Sequence, residues 1–555
     1  MKMESLNSKA DSSENTTGVQ RKRRRSSQRN EKEQGIKGEK KAKSQSDETK
    51  THIKKKENIS KVRVKVVLKN SHSDNDYAIW KKNVSCIYDF LFHHSLSWAS
   101  LTCAFGGSSD EIKNYARSHS VYFSSRTDAT FNPASYRWTG KPSEILIAEV
   151  EVPQQNTAAR KHLGRFTDTQ RSGRIQVKKK IIHPGEVNRI RTFSQHPHLI
   201  VSKTDSASVF FWNTLKQPNK IHSKEMQQDW VQEYLKPLKQ DDDNEVDQES
   251  GDIANVPDLT LDGHTDKAEY AVDCCSDSMK VVSGGSDAKV LCWSVEDYQT
   301  SLETKGKRLQ ARTRFVGHTD NVEDCVFKPG NSDVCCSVGD DKLILIWDAR
   351  VGENYVSKVS NAHKDDINCC SINKINPNYV LTGSSDTTIK LLDLRKLGSG
   401  HINIMEDASA IVHVFEHHTT SVLNVKWSPN DSRYFSSTSE EIPLCIWDTK
   451  IKNDTDIIGE PELLFRHMGH KAPVVDFAWN SNIEEPWLFT TVSDSSDQGG
   501  GTMQVWRISD FVTQVENEEF TNRVHELACL SEFGKSNKNG TKSGKSVDSD
   551  EVSQL

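Results

Sequence analysis

GHTDNVEDCVFKPGNSDVCCSVGDDKLILIWDAR, residues 317–350, holds four residues whose spacing recurs down the chain: His318, Ser337, Asp341 and Trp347. The tryptophans or their stand-ins at 212, 293, 347, 392 and 447 each follow a histidine by 29 residues: His183, His264, His318, His363 and His418. Ten before the same anchors stand Ser202, Ser283, Ser337, Thr382 and Ser437; six before stand Ser206, Asp287, Asp341, Asp386 and Glu441. With only 20 histidines in 555 residues, this is a repeat and not composition. A loop histidine, a strand hydroxyl, a turn acid and a strand indole predict one hydrogen-bonded chain. In it the acid accepts from His, His meets the hydroxyl and the hydroxyl meets the indole N–H. Between the anchors apolar alternation flanks Gly/Asp turns, as in KVVSGGSDAKVLCWSV at 280–295, predicting strand, turn, strand.

A sixth copy starts at Gly469-His470 and ends at Trp506, longer because it carries the glycine-rich insert SDQGGG. G-H followed by W-D at this period, with Trp347-Asp348 and Trp447-Asp448 intact, resembles the WD-repeat family, whose blades form a β-propeller. The fold class expected is therefore all-β: a seven-bladed WD-repeat propeller over 96–512, preceded by one amphipathic helix at 75–95. Clear repeats fall near 181–213, 262–295, 316–349, 361–394, 416–449 and 468–508. Strand-like runs at 98–105, 119–126 and 144–152 supply the remaining blade. Closing the ring with strands from both ends removes free sheet edges. The interruption 214–256, with KQDDDNEVDQESGD, reads as a mobile surface loop.

The net charge of -5 hides a split. Residues 1–70 hold 21 Lys and Arg against 9 Asp and Glu, and the remaining 485 hold 52 against 69. A basic tail, expected to be disordered, precedes an acidic body; 530–555 reads as a second, polar disordered tail. An apolar fraction of 34% and a mean hydropathy of -0.69 fit a normal core diluted by such ends. No run of 18 apolar residues and no hydrophobic leader occurs, so an intracellular soluble protein is expected, with no membrane partner. The 12 cysteines show no C-x-x-C pair and read as buried strand residues, not metal ligands. No metal, cofactor or small-molecule substrate is expected. The repeated His/Asp/Ser sets read as structural, and without G-x-S-x-G, H-E-x-x-H or a phosphate loop no enzyme is expected.

Two surfaces can be read from spacing. In YAIWKKNVSCIYDFLFHHSLSWASL, residues 77–101, Tyr77, Trp80, Val84, Ile87, Tyr88 and Leu91 form one helical stripe that needs a wall to lie on. Ile79, Phe90 and His94 lie off the stripe and leave apolar surface for a second contact. Five residues after the repeat histidines, at the channel mouth, stand Asn188, Glu269, Glu323, Asn368, Leu423 and Val475, with Glu186 and Tyr270 beside them. Acids, amides and a ring there suit an extended cationic peptide; they also read as a solvated rim.

The run YAIWKK...YDFLFHHSLSWASL, with HPGEVNRIR at 183–191, PDLTLDGH at 257–264 and PELLFRHMGH at 461–470, resembles the histone-binding MSI and retinoblastoma-binding-type chaperones over roughly 75–510. GHTDNVEDCVFKP, CSVGDDKLILIWDAR and Gly499-Gly500-Gly501 look most like the plant FVE-type branch. The resemblance implies a nuclear scaffold that binds core histones H3 and H4 within histone deacetylase, chromatin-assembly or Polycomb-type complexes, in transcriptional repression and chromatin organisation. It implies a groove for a histone helix between the N-terminal helix (Ile79, Phe90, Leu91, His94) and the loop TKIKNDTDIIGEPELLF at 449–465. There Asp454, Asp456, Glu460 and Glu462 could pair Lys and Arg, and Ile457, Ile458 and Leu463 could form an apolar floor. It also implies a histone-tail site at the mouth, matching Glu186, Asn188, Glu269, Tyr270, Glu323 and Asn368. Leu423 stands where the family usually has an aromatic, Ala99 replaces a proline in the W-P-S-L motif, and Lys450 and Lys452 interrupt the acidic loop.

In the tail, Arg21, Lys22, Arg23, Arg24 and Arg25 have the density of a nuclear-import signal, with DNA contact as an added expectation. A rival reading from another class is a substrate receptor of a cullin-type ubiquitin ligase. Trp347-Asp348-Ala349-Arg350 fits a W-D-x-R adaptor box, and Arg395 ends a partial second copy.

Overall fold

The computed structural model describes residues 74–113, 115–155, 175–220, 252–275, 277–296, 306–397, 404–405, 410–441, 443–449, 462–495 and 500–509. Both tails, the import signal at 21–25 and loop residues 450–461 lie outside them. Among the described residues the strands form seven sheets of four or five strands and one two-stranded ribbon. Six sheets begin at an inner strand and proceed outward in chain order. Their inner strands are Cys103–Lys113, Arg189–Phe193, Val272–Cys275, Val322–Lys328, Ile367–Ile372 and Val422–Trp427. The seventh takes Val474–Trp479, Leu488–Ser493 and Thr502–Ile508 from one end of the chain and its outermost strand, Tyr88–Ser95, from the other. Leu91 lies opposite Trp506 and Phe92 opposite Val505, so the ring closes as the repeat count predicts, into a seven-bladed β-propeller.

The helix expected over 75–95 is shorter: Asp74–Ile87 is helical and Tyr88–Ser95 is a strand. From Tyr88 the sequence is rich in aromatics and its burial alternates, Tyr88, Phe90 and Phe92 inward and Asp89 and Leu91 less so. That period of two suits the open edge of the last blade better than a further helical turn. The glycine insert makes room for the crossing that follows. Leu96 N–H donates to Gly501 O at 2.9 Å, and a Cβ on Gly500, which has φ +35, would collide with the Leu96 carbonyl oxygen.

Adjacent blades share apolar cores, and Trp212, Trp293, Trp347, Trp447 and Trp506 are fully buried in them. The predicted hydrogen-bonded chain is complete in the fourth blade. Trp347 Nε1 donates to Ser337 Oγ at 2.7 Å, and His318 reaches Ser337 at 2.7 Å and Asp341 at 2.8 Å. Elsewhere it is edited. His183 lacks an acid and turns Nδ1 to Gly185 O at 3.0 Å, and burial pushes its pKa down to about 4. Leu392 supplies no indole, so Thr382 serves His363 alone. In the third blade Trp293 turns to Asp262 O because Lys203, fully buried on the neighbouring blade, donates to Ser283 Oγ at 2.6 Å. Burial brings that ammonium down to about 7.

Inner strands are stapled blade to blade by side chains accepting backbone N–H groups. Asp273 accepts from Phe327 at 2.8 Å, Asp324 from Cys370 at 3.0 Å, Thr102 from Ile190 at 3.0 Å and Ser371 from Trp427 at 3.2 Å. At the closing seam Asp476 accepts from Thr102 Oγ1 and Cys103 N of the first blade, and from Asn424 Nδ2 and Lys426 Nζ of the sixth, at 2.7–3.1 Å.

The interruption at 214–256 is not wholly a surface loop. Its end packs as Ala254, Asn255 and Val256, all buried, with Trp138 of the ribbon Thr130–Asn132/Arg137–Thr139. The eleven described cysteines are free thiols, eight of them buried, whereas Cys86 is exposed on the helix.

Candidate functional site

The helix lies where its stripe predicts. Trp80, Val84, Ile87 and Tyr88 are buried with Phe465 and Met468 of the sixth blade's rim and Trp506 of the seventh, and Tyr77 and Leu91 close the edges. A polar ladder that the sequence did not announce runs through this contact. Trp80 Nε1 donates to Tyr88 Oη at 3.0 Å, and Tyr88 Oη pairs with His467 Nδ1 at 2.6 Å. His467 Nε2 meets Gln504 Oε1 at 3.0 Å, whose amide nitrogen reaches His93 Nδ1 at 3.0 Å. Burial pushes His467 down to about 3, so it is neutral. Neutrality gives the ladder one direction: the phenol donates to Nδ1 and Nε2–H donates to the glutamine. The signal was present in register, since His467 lies three residues before a repeat histidine on the strand the helix must cover.

The off-stripe residues separate. Ile79 is half-buried and outside the cluster, and His94 is half-buried and stacks on Phe92 at 6.4 Å. Phe90, expected to remain available for a second contact, is 3% exposed in the core between the seventh and first blades, because strand alternation turns it away from Leu91. On the opposite bank, Asp454, Asp456, Ile457, Ile458 and Glu460 lie outside the described residues. Glu462 is largely covered and lies 3.3 Å from His413 Nε2. Leu463 packs with Tyr379 on the fifth-blade side, and Leu464 joins the helix cluster; a bulge opposite Ile446 and Trp447 shifts the register by one. The strand they begin, Leu463–His467, is the one the helix covers.

At the channel mouth, Glu323, Asn368, Leu423 and Val475 each sit where strand pairing skips a residue. A bulge of this kind re-aims a side chain at the rim. Glu186, Glu269, Tyr270 and Glu323 form one electrostatic group. Burial, then Asp340 and Glu269, raise the Glu323 carboxyl to about 7, and burial raises Glu186 despite Arg126 at 3.7 Å. Tyr270 is 37% exposed. Asn188 is buried, and Asn368 spends its amide on Ser385, Ser421 and Val422 O, tying the fifth blade to the sixth. Below them sits Arg189, missed at the sequence level although it occupies the next register position after Asn188. It is 8% exposed, and its Nη1 has no hydrogen-bond partner among the described residues.

Arg350 and Arg395 are exposed, but each folds back on the acid two residues earlier. Arg350 reaches Asp348 at 2.6 Å and Arg395 reaches Asp393 at 2.7 Å; Asp348 follows the buried indole of Trp347. These turns account for the W-D-x-R pattern within the chain itself. Among the described residues no group of three or more His, Cys, Asp or Glu is placed to hold a metal ion, and no helix is long and apolar enough to cross a membrane.

Residues 75–154, which contain the helix, the closing strand and most of the first blade, match the H4-binding family model for histone-binding protein RBBP4 and its counterpart in the CAF1 complex, CAF1C. The WD domain, G-beta repeat model matches 255–294, 309–348, 355–393 and 409–452. The chain is 33% identical over 486 residues to WD-40 repeat-containing protein MSI4 of Arabidopsis thaliana, covering 82% of this chain and 87% of that protein.

Proposed function

The chain belongs to the RBBP4/CAF1C-type family of histone-binding WD-repeat proteins, and from that premise we propose that it is a nuclear, non-enzymatic scaffold subunit that binds core histones H3 and H4. It brings histone deacetylase, chromatin-assembly or Polycomb-type partners to chromatin in transcriptional repression. A histone helix lies between the helix Asp74–Ile87 and the acidic segment 449–462. The supporting observation is that the helix docks on Leu463–His467, the strand into which that acidic segment runs. Ile79, left outside the buried cluster, supplies apolar surface on one bank. Asp454, Asp456 and Glu460 supply charge on the other. Titrating purified H3–H4 into the wild type and into Asp454→Ala/Asp456→Ala/Glu460→Ala tests this. Three partly screened ion pairs of up to about 1 kcal/mol each predict roughly tenfold weaker binding for the variant. Equal affinity removes the groove assignment.

The mouth takes the cationic histone tail, with Glu186, Glu269, Tyr270 and Glu323 around the incoming Lys or Arg and Asn188 and Asn368 behind them. Because Glu323 holds its proton up to about 7, an arriving cation that favours the carboxylate must release it. Tail-peptide affinity should therefore rise between pH 6 and pH 8 by up to about tenfold. Glu323→Gln should flatten that rise in an anisotropy titration. An unchanged pH profile in the variant assigns the proton elsewhere.

A further inference from the structure

The run KRLQARTRFV at 307–316 edges two blades in succession. Lys307–Gln310 is the outermost strand of the second blade, parallel to Leu259–Asp262, and Thr313–Val316 is the outermost strand of the third, antiparallel to Lys289–Ser294. Alternation holds through both. Leu309 and Ala311 pack on the core between these blades and Phe315 is buried, whereas Arg308, Gln310, Arg312, Arg314 and Val316 are exposed. Same-face side chains of an extended strand stand roughly 6.7 Å apart, so the run presents a row of guanidinium groups, with exposed Lys307 at its start.

Little on the molecule answers this charge. The positions opposite Lys307, Arg308 and Arg314 are Leu259, Thr260 and Leu291. The only carboxylate in the paired stretches is Asp262, which already holds Arg308 at 2.9 Å. Among the described residues no ion pair is formed by Lys307, Arg312 or Arg314. Against a body that is acidic as a whole, this is a local excess of positive charge on the outer rim, away from the helix and the channel mouth.

We propose that the 307–316 edge is a contact surface for the phosphate backbone of duplex nucleic acid. Arginine in a regular row suits successive phosphates. The row contains no aromatic side chain on which an unpaired base could stack, which favours a duplex over a single strand. An acidic peptide would find charge but little apolar surface, Val316 alone. The proposal does not depend on histone binding.

Anisotropy titrations of the full chain with a 30-base-pair duplex, from 50 to 200 mM KCl, test it. Each phosphate contact contributes about 0.9 to the slope of log K against log salt. Lys307→Gln/Arg312→Gln/Arg314→Gln should lower that slope by roughly 2–3 and weaken binding at least about tenfold at low salt. Lys216→Gln/Lys364→Gln/Lys374→Gln, exposed lysines elsewhere, should not. The basic tail contributes equally to all. The charge-preserving Arg312→Lys/Arg314→Lys should keep the slope, and Arg314→Gln alone should lower it by about 0.9, which carries the test if the triple variant is unstable. Equal slopes for the two triple variants overturn the proposal. So does polyglutamate displacing the duplex through the same residues at lower concentration, which assigns the edge to an acidic protein.

Discussion

Asp476→Ala should destabilise the ring more than any single change at an exposed acid. Its carboxylate is 2% exposed and joins three blades, accepting from Thr102, Cys103, Asn424 and Lys426. Burial alone would raise its pKa, but Lys426, Arg189 and Arg191 more than offset that and hold it below the usual carboxylate range. Removing it leaves the Lys426 ammonium, which also donates to Phe477 O, without its counter-charge inside the channel. Breaking a buried pair in this way costs about 3–5 kcal/mol, a fall in melting temperature of roughly 5–10 °C for a chain of this size. Asp476→Asn, which keeps the acceptor geometry, should fall between. The sign with pH follows from the depressed pKa. The contribution is fully present above about pH 4 and disappears as pH falls through the folded-state value. The alanine variant should therefore lose less stability on acidification than the wild type, and wild-type melting at neutral pH would refute the staple.

Trp80→Ala should detach the helix and leave the ring. The indole is 2% exposed in the shared cluster and starts the donor ladder to Tyr88 and His467. A large-to-small change there costs about 3–5 kcal/mol. A helix of 14 residues has little stability of its own, so that loss should exceed what holds it down. Amide exchange in Asp74–Ile87 should become fast while Val281 and Val338, in other blades, keep their protection, and histone-helix binding should fall with it. Helix amides as slow as in the wild type would mean that the stripe is not what anchors it.

The ring was legible in the sequence because its code is local: a histidine, a hydroxyl, an acid and an indole at fixed spacing in one blade. What escaped was non-local. The strand at Tyr88–Ser95 depends on an edge offered by Thr502–Ile508, over 400 residues away, and no property of the segment by itself weighs that edge against another helical turn. Lys203 edits the third blade's network from the second, and the resulting Trp293 contact cannot be inferred within either repeat. In the candidate site the stripe Tyr77 to Leu91 survives the change from helix to strand, because both elements turn the same residues toward the sixth-blade wall. Phe90 and Leu463 did not survive, since each obeys an alternation or a bulge that only strand pairing defines. At the mouth, spacing found the bulged residues, and one further step along the same register reaches Arg189.

The most direct measurement of the central claim is hydrogen–deuterium exchange on the full chain with and without H3–H4. If a histone helix lies against the N-terminal helix and the sixth-blade edge, adding H3–H4 should slow exchange in Asp74–Ile87 and Leu463–His467 and leave Leu488–Ser493 unchanged. Saturating H3–H4 with no added protection in either of the first two segments would contradict it.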